Sequence, residues 1–254
     1  MAELIELSNK THSDLRLVEN CALMEAKNQH VIGLKVSEVG MAAGSFPLFF
    51  TKNTQTGDWA ISAVAGLELN TNLFIENDYW DATYLPTVMQ TYPFYLMKSE
   101  REEGSYTIGI DEENTAFSKT EGKPLFEDSG KASIMLSGIT TMLEEDIKNQ
   151  IQTFQYAKEL DELGLIKGMN VLVHYNDGNT NTLKGLYTPD EEKLQALSVE
   201  DLDALRQKGY LPAIYAMLIS IYQLNAMILR NNRLDGTRKI KQVQLEATKA
   251  KASW

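Results

Sequence analysis

The chain has 254 residues, enough to bury a sizeable core as one large domain or two small ones. Its 43% hydrophobic and 23% charged shares are those of a globular protein. A net charge of −11 argues against the basic stripe of a nucleic-acid-binding surface, and the single cysteine, Cys21, excludes an internal disulfide.

Met1 to Glu6 has neither a basic leader nor a long apolar run. The cytoplasm is therefore the default location, with export by a signal-free route left open. Asp14 to Val18 alternates as a short strand does, and His30 to Val39 reads as a strand or an entry segment leading to a helix near Glu38 to Gly44. Phe46 to Lys52 is a compact aromatic strand, placed at an edge or a strand start by Pro47. The turn Thr54 to Asp58 joins it to a second strand, Trp59 to Leu67, as a hairpin. A short helix is expected over Asp81 to Gln90, with Pro86 early, then strands over Tyr92 to Met97 and Ser105 to Asp111.

Apolar spacing from Ile134 through Leu143, Ile147, Ile151 and Leu160 predicts a long helix ending near Gly164. Asn176 to Asn179 predicts a tight hairpin turn between Met169 to Tyr175 and Thr182 to Tyr187. Thr188 and Ser198 are the expected caps of two further helices, the first with Pro189 and Glu191 in its opening turn. Tyr210 to Leu229 has about the length of a membrane span, but Pro212, Gln223, Asn225 and three tyrosines favour a buried helix, so no transmembrane segment is expected. Thr237 to Trp254 is basic and poor in core residues, and reads as an extension that orders against a partner.

Chemistry is scarce. His12, His30 and His174 lie far apart without metal-ligand spacing, no nucleophile elbow occurs, and no glycine loop cradles a phosphate. No catalytic residue, metal or cofactor is expected from these patterns. An enzyme would need distant groups such as His12, Asp81 and Asp111 to converge. The densest unusual stretch is Ala43 to Phe94, which holds nearly half of the aromatic residues. Within it, Trp59, Trp80, Asp81, Tyr84 and Tyr92 are either core or a pocket for a peptide or an aromatic small molecule. Both readings predict burial; the pocket alone predicts a cavity.

Several short motifs fall in a recognisable order: Phe46-Pro47-Leu48-Phe49, Gly57 with Trp59, Gly66-Leu67, Asn72-Leu73-Phe74, Trp80-Asp81 with Tyr84-Leu85-Pro86, and Tyr92-Pro93-Phe94. Ile110-Asp111, Leu125-Phe126 with Gly130, Leu163-Gly164-Leu165 and Leu197 through Ser220 continue it, and His12 stands near its start. In this order the chain resembles the SapC family over roughly residues 10 to 235. It departs at Ala82-Thr83, where a glycine is common, and in the tail after Gly236. The resemblance implies a link to bacterial surface layers and to genes for outer-membrane uptake, and supplies no catalytic residues.

The resulting expectation is an α+β fold, a mostly antiparallel sheet covered by the long middle helix and a C-terminal helical pair. Residues 1–236 form a single globular domain and 237–254 a basic extension. The function expected is that of a non-enzymatic structural or assembly protein acting through protein partners, self-association included. Its contacts would be a strand edge at Phe46, Phe49 and Phe50 and a tail carrying Arg238, Lys239 and Trp254. Deleting Thr237 to Trp254 should then abolish assembly and spare the fold. The alternative is a soluble accessory protein that binds a peptide or small aromatic ligand linked to outer-membrane uptake.

Overall fold

Alternation, turn chemistry and helix caps set most element boundaries in the computed structural model, which describes residues 4–99 and 105–248. The first half holds β1 (Ile5–Glu6), β2 (Arg16–Leu17), α1 (Cys21–Ala26), β3 (Val31–Leu34), a 3-10 turn (Val36–Glu38), α2 (Val39–Ala42), β4 (Leu48–Lys52) and β5 (Trp59–Val64). It continues with β6 (Ile75–Glu76), β7 (Tyr79–Trp80), α3 (Thr87–Thr91), β8 (Tyr95–Lys98), β9 (Tyr106–Ile110), β10 (Phe117–Ser118) and β11 (Lys123–Pro124). The second half holds α4 (Ile134–Glu162), β12 (Ile166–Tyr175), β13 (Thr180–Pro189), α5 (Glu191–Gln195), α6 (Val199–Gln207), α7 (Leu211–Ser220), α8 (Gln223–Arg233) and β14 (Ile240–Ala247). The fold is α+β with antiparallel sheets.

The chain divides into two compact units. The first takes residues 1–26, 77–79 and 87–148, the second residues 27–76, 80–86 and 149–254. In the first unit the sheets β1-β9-β8 and β10-β2-β11 accompany the start of α4. Leu136, Ile139 and Leu143, three or four residues apart on one helix face, join Leu15, Phe94, Ile110 and Leu125 in its core.

The second unit is built on a six-stranded sheet in the order β14-β12-β13-β4-β5-β3. The β4–β5 register runs from Leu48 opposite Ala63 to Lys52 opposite Trp59. Leu48, Phe49 and Phe50 all have 0% exposure. Successive strand residues point to opposite faces, so both faces of β4 are covered. Tyr156 of α4 covers one face, its ring 6.0 Å from Phe50 and 5.0 Å from Tyr210. Helix α7 packs on β4 and β13, and its Ser220 hydroxyl accepts the Leu48 N–H at 2.9 Å.

Four boundaries differ from the sequence reading, each for a physical reason. Leu85 precedes a proline and is steered away from helix, so α3 begins only at Thr87. Thr188 and Pro189 end β13, and the cap of α5 is Asp190, whose carboxylate accepts the Lys193 N–H. Ser198 caps α6 as its position implied, and α4 ends just before Gly164, in the left-handed region at φ 66°. The apolar segment from Tyr210 folds as α7 and α8 with one face buried and the other exposed.

The fourth difference is the tail. Ile240–Ala247 is the outermost strand of the six-stranded sheet, paired with β12 from Met169↔Ala247 to Tyr175↔Ile240. Ile240 is buried. Asn231 and Asn232 at the end of α8 bind the incoming backbone: Asn231 Nδ2 donates to the Arg238 carbonyl, and Asn232 accepts the Ile240 N–H and donates to its carbonyl, all at 2.7–2.8 Å. Val243 and Leu245 alternate with Gln242, Gln244 and Glu246, a strand pattern of period two. Residues 240–247 are thus part of the sheet rather than an arm that leaves it.

Candidate functional site

The five residues of the candidate aromatic pocket fall into three groups. Trp80 packs with Phe46 and Phe74, at centroid distances of 5.9 and 6.1 Å, and its Nε1–H donates to the Tyr84 carbonyl at 2.9 Å. The Tyr84 hydroxyl donates to Glu38 Oε1 at 2.6 Å. Glu38 is buried, and its other oxygen accepts the Lys35 N–H at 2.7 Å, the acid half of a capping box. Asp81 pairs with Arg230, whose guanidinium lies 4.5 Å over the Phe74 ring. Trp80, Asp81 and Tyr84 therefore form one braced cluster.

Trp59 belongs to another ring group, edge-on to Tyr187 at 4.7 Å and beneath the Lys52 ammonium. Its buried Nε1 has no hydrogen-bond partner among the described residues. Tyr92 is in the first unit, where its hydroxyl and the Asn114 side chain bond to each other at 3.0–3.2 Å. None of the five lines the clefts described below.

Of the candidate contact residues, Phe46, Phe49 and Phe50 have 0% exposure, and β4 is an inner strand of its sheet. They are core and offer no edge. Arg238 stacks on Tyr175 at 4.0 Å and pairs with Glu68 at 2.7 Å, while the Tyr175 hydroxyl donates to the same Glu68 oxygen at 2.7 Å. The Tyr175 hydroxyl, with Arg238 beside it, holds the Glu68 carboxyl below its ordinary range. Burial, then the Glu68 hydrogen bond and charge, pushes the Tyr175 hydroxyl up to about 12. Lys239 donates to the Leu234 and Asn232 carbonyls at the end of α8. Both basic residues fasten β14 to its own unit. Trp254 lies outside the described residues.

The candidate catalytic groups have local roles. His12 is buried, and its Nδ1 accepts the Ser8 N–H at 3.0 Å while Nε2 lies 3.8 Å from Glu112. Asp111 Oδ1 accepts the Glu113 N–H two residues on, closing a turn. Asp81 belongs to the other unit. Among the described residues no three His, Cys, Asp or Glu side chains are grouped to hold a metal.

What the sequence reading missed is a surface. Across the α7–α8 junction the bonds tighten to three-residue steps, as in Tyr222 N–H to Ile219 O and Asn225 N–H to Tyr222 O, and the helical path continues from Leu211 to Arg233. Ile214, Met217, Ser220, Leu224, Met227 and Asn231 are buried along it. Tyr215, Ile219, Tyr222 and Leu229 are 48%, 66%, 77% and 61% exposed. At 100° per residue the two rows fall on nearly opposite sides of the helix. The exposed row steps by four, three and seven residues, the spacing of a helix-pairing seam. By length and composition the same segment could cross a membrane, and 28% of its most apolar stretch is buried.

Two adjoining clefts of the second unit share Gln155, Lys208 and Tyr210, and the larger measures about 620 Å³. There the Lys208 ammonium is held by both oxygens of Glu159 at 2.7 Å. A cleft of about 430 Å³ in the first unit is lined mostly by aliphatic and aromatic residues.

Taken together, these features define a two-unit α+β protein with a braced aromatic core and an exposed apolar row along a helix. The chain belongs to the SapC family, whose model matches residues 7–227. The match ends within α8 and leaves out β14. No curated protein and no solved structure matches the chain.

Proposed function

We propose that this chain is a non-enzymatic assembly protein that works through protein contacts, in a surface layer or another macromolecular assembly. Its contact surface is the exposed α7–α8 row, and the occupant is the same row of a second copy. One observation carries the reading: four large apolar side chains on a single helical path, all exposed, at the spacing of a helix seam. Contiguous apolar surface of this kind marks interaction sites, and tyrosine is enriched in them. A twofold pairing sets the row against itself, so one chain supplies both halves of the contact. A cytoplasmic location and partners that are proteins, rather than nucleic acid or membrane, belong to the same proposal and fit the net charge of −11.

Light scattering across concentration tests it. The full chain should dimerise, and Tyr222→Glu, which changes a side chain 77% exposed, should be monomeric with an unchanged circular-dichroism spectrum. A wild-type monomer that co-sediments with phosphatidylcholine vesicles would mean that lipid covers the row, and would overturn the reading.

A second reading, a soluble accessory protein that binds a small ligand, is favoured by the apolar cleft of the first unit.

A further inference from the structure

The cleft of the first unit lies between α4 and β9. Strand β9 is the middle strand of its sheet: Leu96 of β8 stands opposite Ile108, and the Leu7 N–H donates to the Ile108 carbonyl at 2.9 Å. The β9 side is formed by Tyr106, Thr107 and Ile108, with Leu7 and Leu96 beside it. Helix α4 contributes Leu136, Thr140, Leu143, Glu144 and Ile147, a helical row at spacings of three and four. Phe126 and Ala132 close one side. The volume of about 430 Å³ is that of a small-molecule site.

The polar groups in this lining are few: the hydroxyls of Tyr106, Thr107 and Thr140 and the carboxylate of Glu144. The Thr140 hydroxyl already donates to the Leu136 carbonyl at 2.8 Å, so it meets an incoming group as an acceptor. Glu144 is the only acidic or basic side chain among the lining residues. It is exposed and makes no ion pair or hydrogen bond among the described residues. An apolar floor with a carboxylate and a hydroxyl acceptor at the α4 wall favours a donor with positive charge and rejects an anion.

We infer that this cleft binds a small apolar molecule bearing one cationic nitrogen. The apolar body lies among Leu96, Ile108, Leu136 and Leu143, and the ammonium faces Glu144. This ligand site is independent of the α7–α8 seam, which belongs to the other unit.

Calorimetric titration of the full chain with decylammonium, decanol and decanoate, each below its micellar concentration, tests the assignment. Decylammonium should saturate one site per chain and bind about fivefold tighter than decanol, as a solvent-exposed ion pair allows, with decanoate weakest. The ammonium advantage should shrink in about 1 M salt, where screening is nearly complete beyond a few ångströms. Glu144→Gln should bring decylammonium to the decanol level and leave decanol unchanged. Thr140→Trp should fill the cleft and remove binding of all three. Ala132→Phe, in the lining but outside α4, does the same should the first variant fold poorly. Tyr222→Glu should bind decylammonium as the wild type does, which separates this site from the seam. No binding of decylammonium, equal binding of decanoate, or a Glu144→Gln variant with undiminished preference for the cation would overturn the inference.

Discussion

The aromatic stretch around Phe46 to Tyr84 and the apolar helix from Leu211 to Arg233 exchange the roles that their compositions suggest. The aromatic stretch looks like a binding surface, yet Phe46, Phe49, Phe50 and Phe74 are all at 0–1% exposure. The helix looks like core, yet Tyr215, Ile219, Tyr222 and Leu229 face outward. What separates the two is the number of neighbours their positions provide. An inner strand of a sheet has a strand on each side and a layer on each face, so even five aromatic or apolar residues in succession can be absorbed. A helix laid on that sheet at α7 and α8 is covered along one side alone, whatever its other side contains.

Substitutions that remove one member of each region make the contrast measurable. The largest effect belongs to Phe50→Ala. Phe50 has no exposure, and its ring lies 6.0 Å from Tyr156 and 6.4 Å from Trp59. The cavity left behind should cost about 3–5 kcal/mol in denaturant unfolding. A loss below about 1 kcal/mol would mean that this packing is far looser than the geometry indicates.

Next in size is the Glu38 brace. Glu38→Ala removes the acceptor of both the Tyr84 hydroxyl and the Lys35 N–H, an expected loss of about 1–3 kcal/mol. A double-mutant cycle with Tyr84→Phe should show clear coupling between the pair. Strict additivity would show that the 2.6 Å bond contributes nothing to stability.

A smaller effect, seen through pH, is expected where β14 is tied down. The Glu68 carboxyl is lowered in the fold, so its contribution is present above its unfolded pKa and fades as acid carries the pH down through the folded value. The Tyr175 hydroxyl is raised from 10.0 to about 12, so its contribution is complete below 10 and is lost as the pH climbs toward 12. Unfolding measured against pH should therefore show a loss at each end, and Tyr175→Phe should reduce the alkaline one, to which the burial-raised Tyr92, Tyr95, Tyr156 and Tyr210 also contribute, and weaken the acid one. An alkaline limb left unchanged by Tyr175→Phe would mean that Tyr175 contributes nothing to it. Glu68 is well exposed, so salt should blunt the acid limb.

Much of the fold was legible because local signals agreed with their surroundings. The Asn176 to Asn179 turn, with Gly178 at φ 87°, joins β12 to β13 where turn chemistry placed it. The helix from Ile134 to the Gly164 stop, and the Ser198 cap, were equally readable. The tail was readable too, since Val243 and Leu245 alternate with polar residues, but its lysines and glutamines drew attention to charge instead. For β4, Pro47 suggested an edge; it stands just before the first paired residue, Leu48, where its missing N–H costs no ladder bond. The unbroken run from Leu48 to Phe50 was the better guide, because strands covered on both faces lose their alternation. The site was far less legible. Trp80, Asp81 and Tyr84 meet by proximity in sequence, but Glu38 and Arg230 reach them from 46 and 149 residues away. The first-unit cleft likewise draws its lining from separate segments between Leu7 and Ile147, which no local spacing connects.

The smallest effect on stability, and the sharpest test of the contrast, is expected at Tyr222. Its side chain is 77% exposed on the side of the helix away from Met217, Leu224 and Met227, so Tyr222→Glu should leave unfolding within about 0.5 kcal/mol of the wild type. Folding alone gives this row no reason to be apolar. If the row is a seam, the same substitution that is silent in unfolding must shift the mass in solution from dimer to monomer, because a carboxylate buried against its own copy is unpaired and repelled. Leu229→Glu, two helical turns on, should act in the same direction, and Glu200→Lys, outside the row on α6, should not. A Tyr222→Glu protein that unfolds much more readily would instead show that the tyrosine packs within its own chain, and the opposition between covered sheet and bare helix would fall.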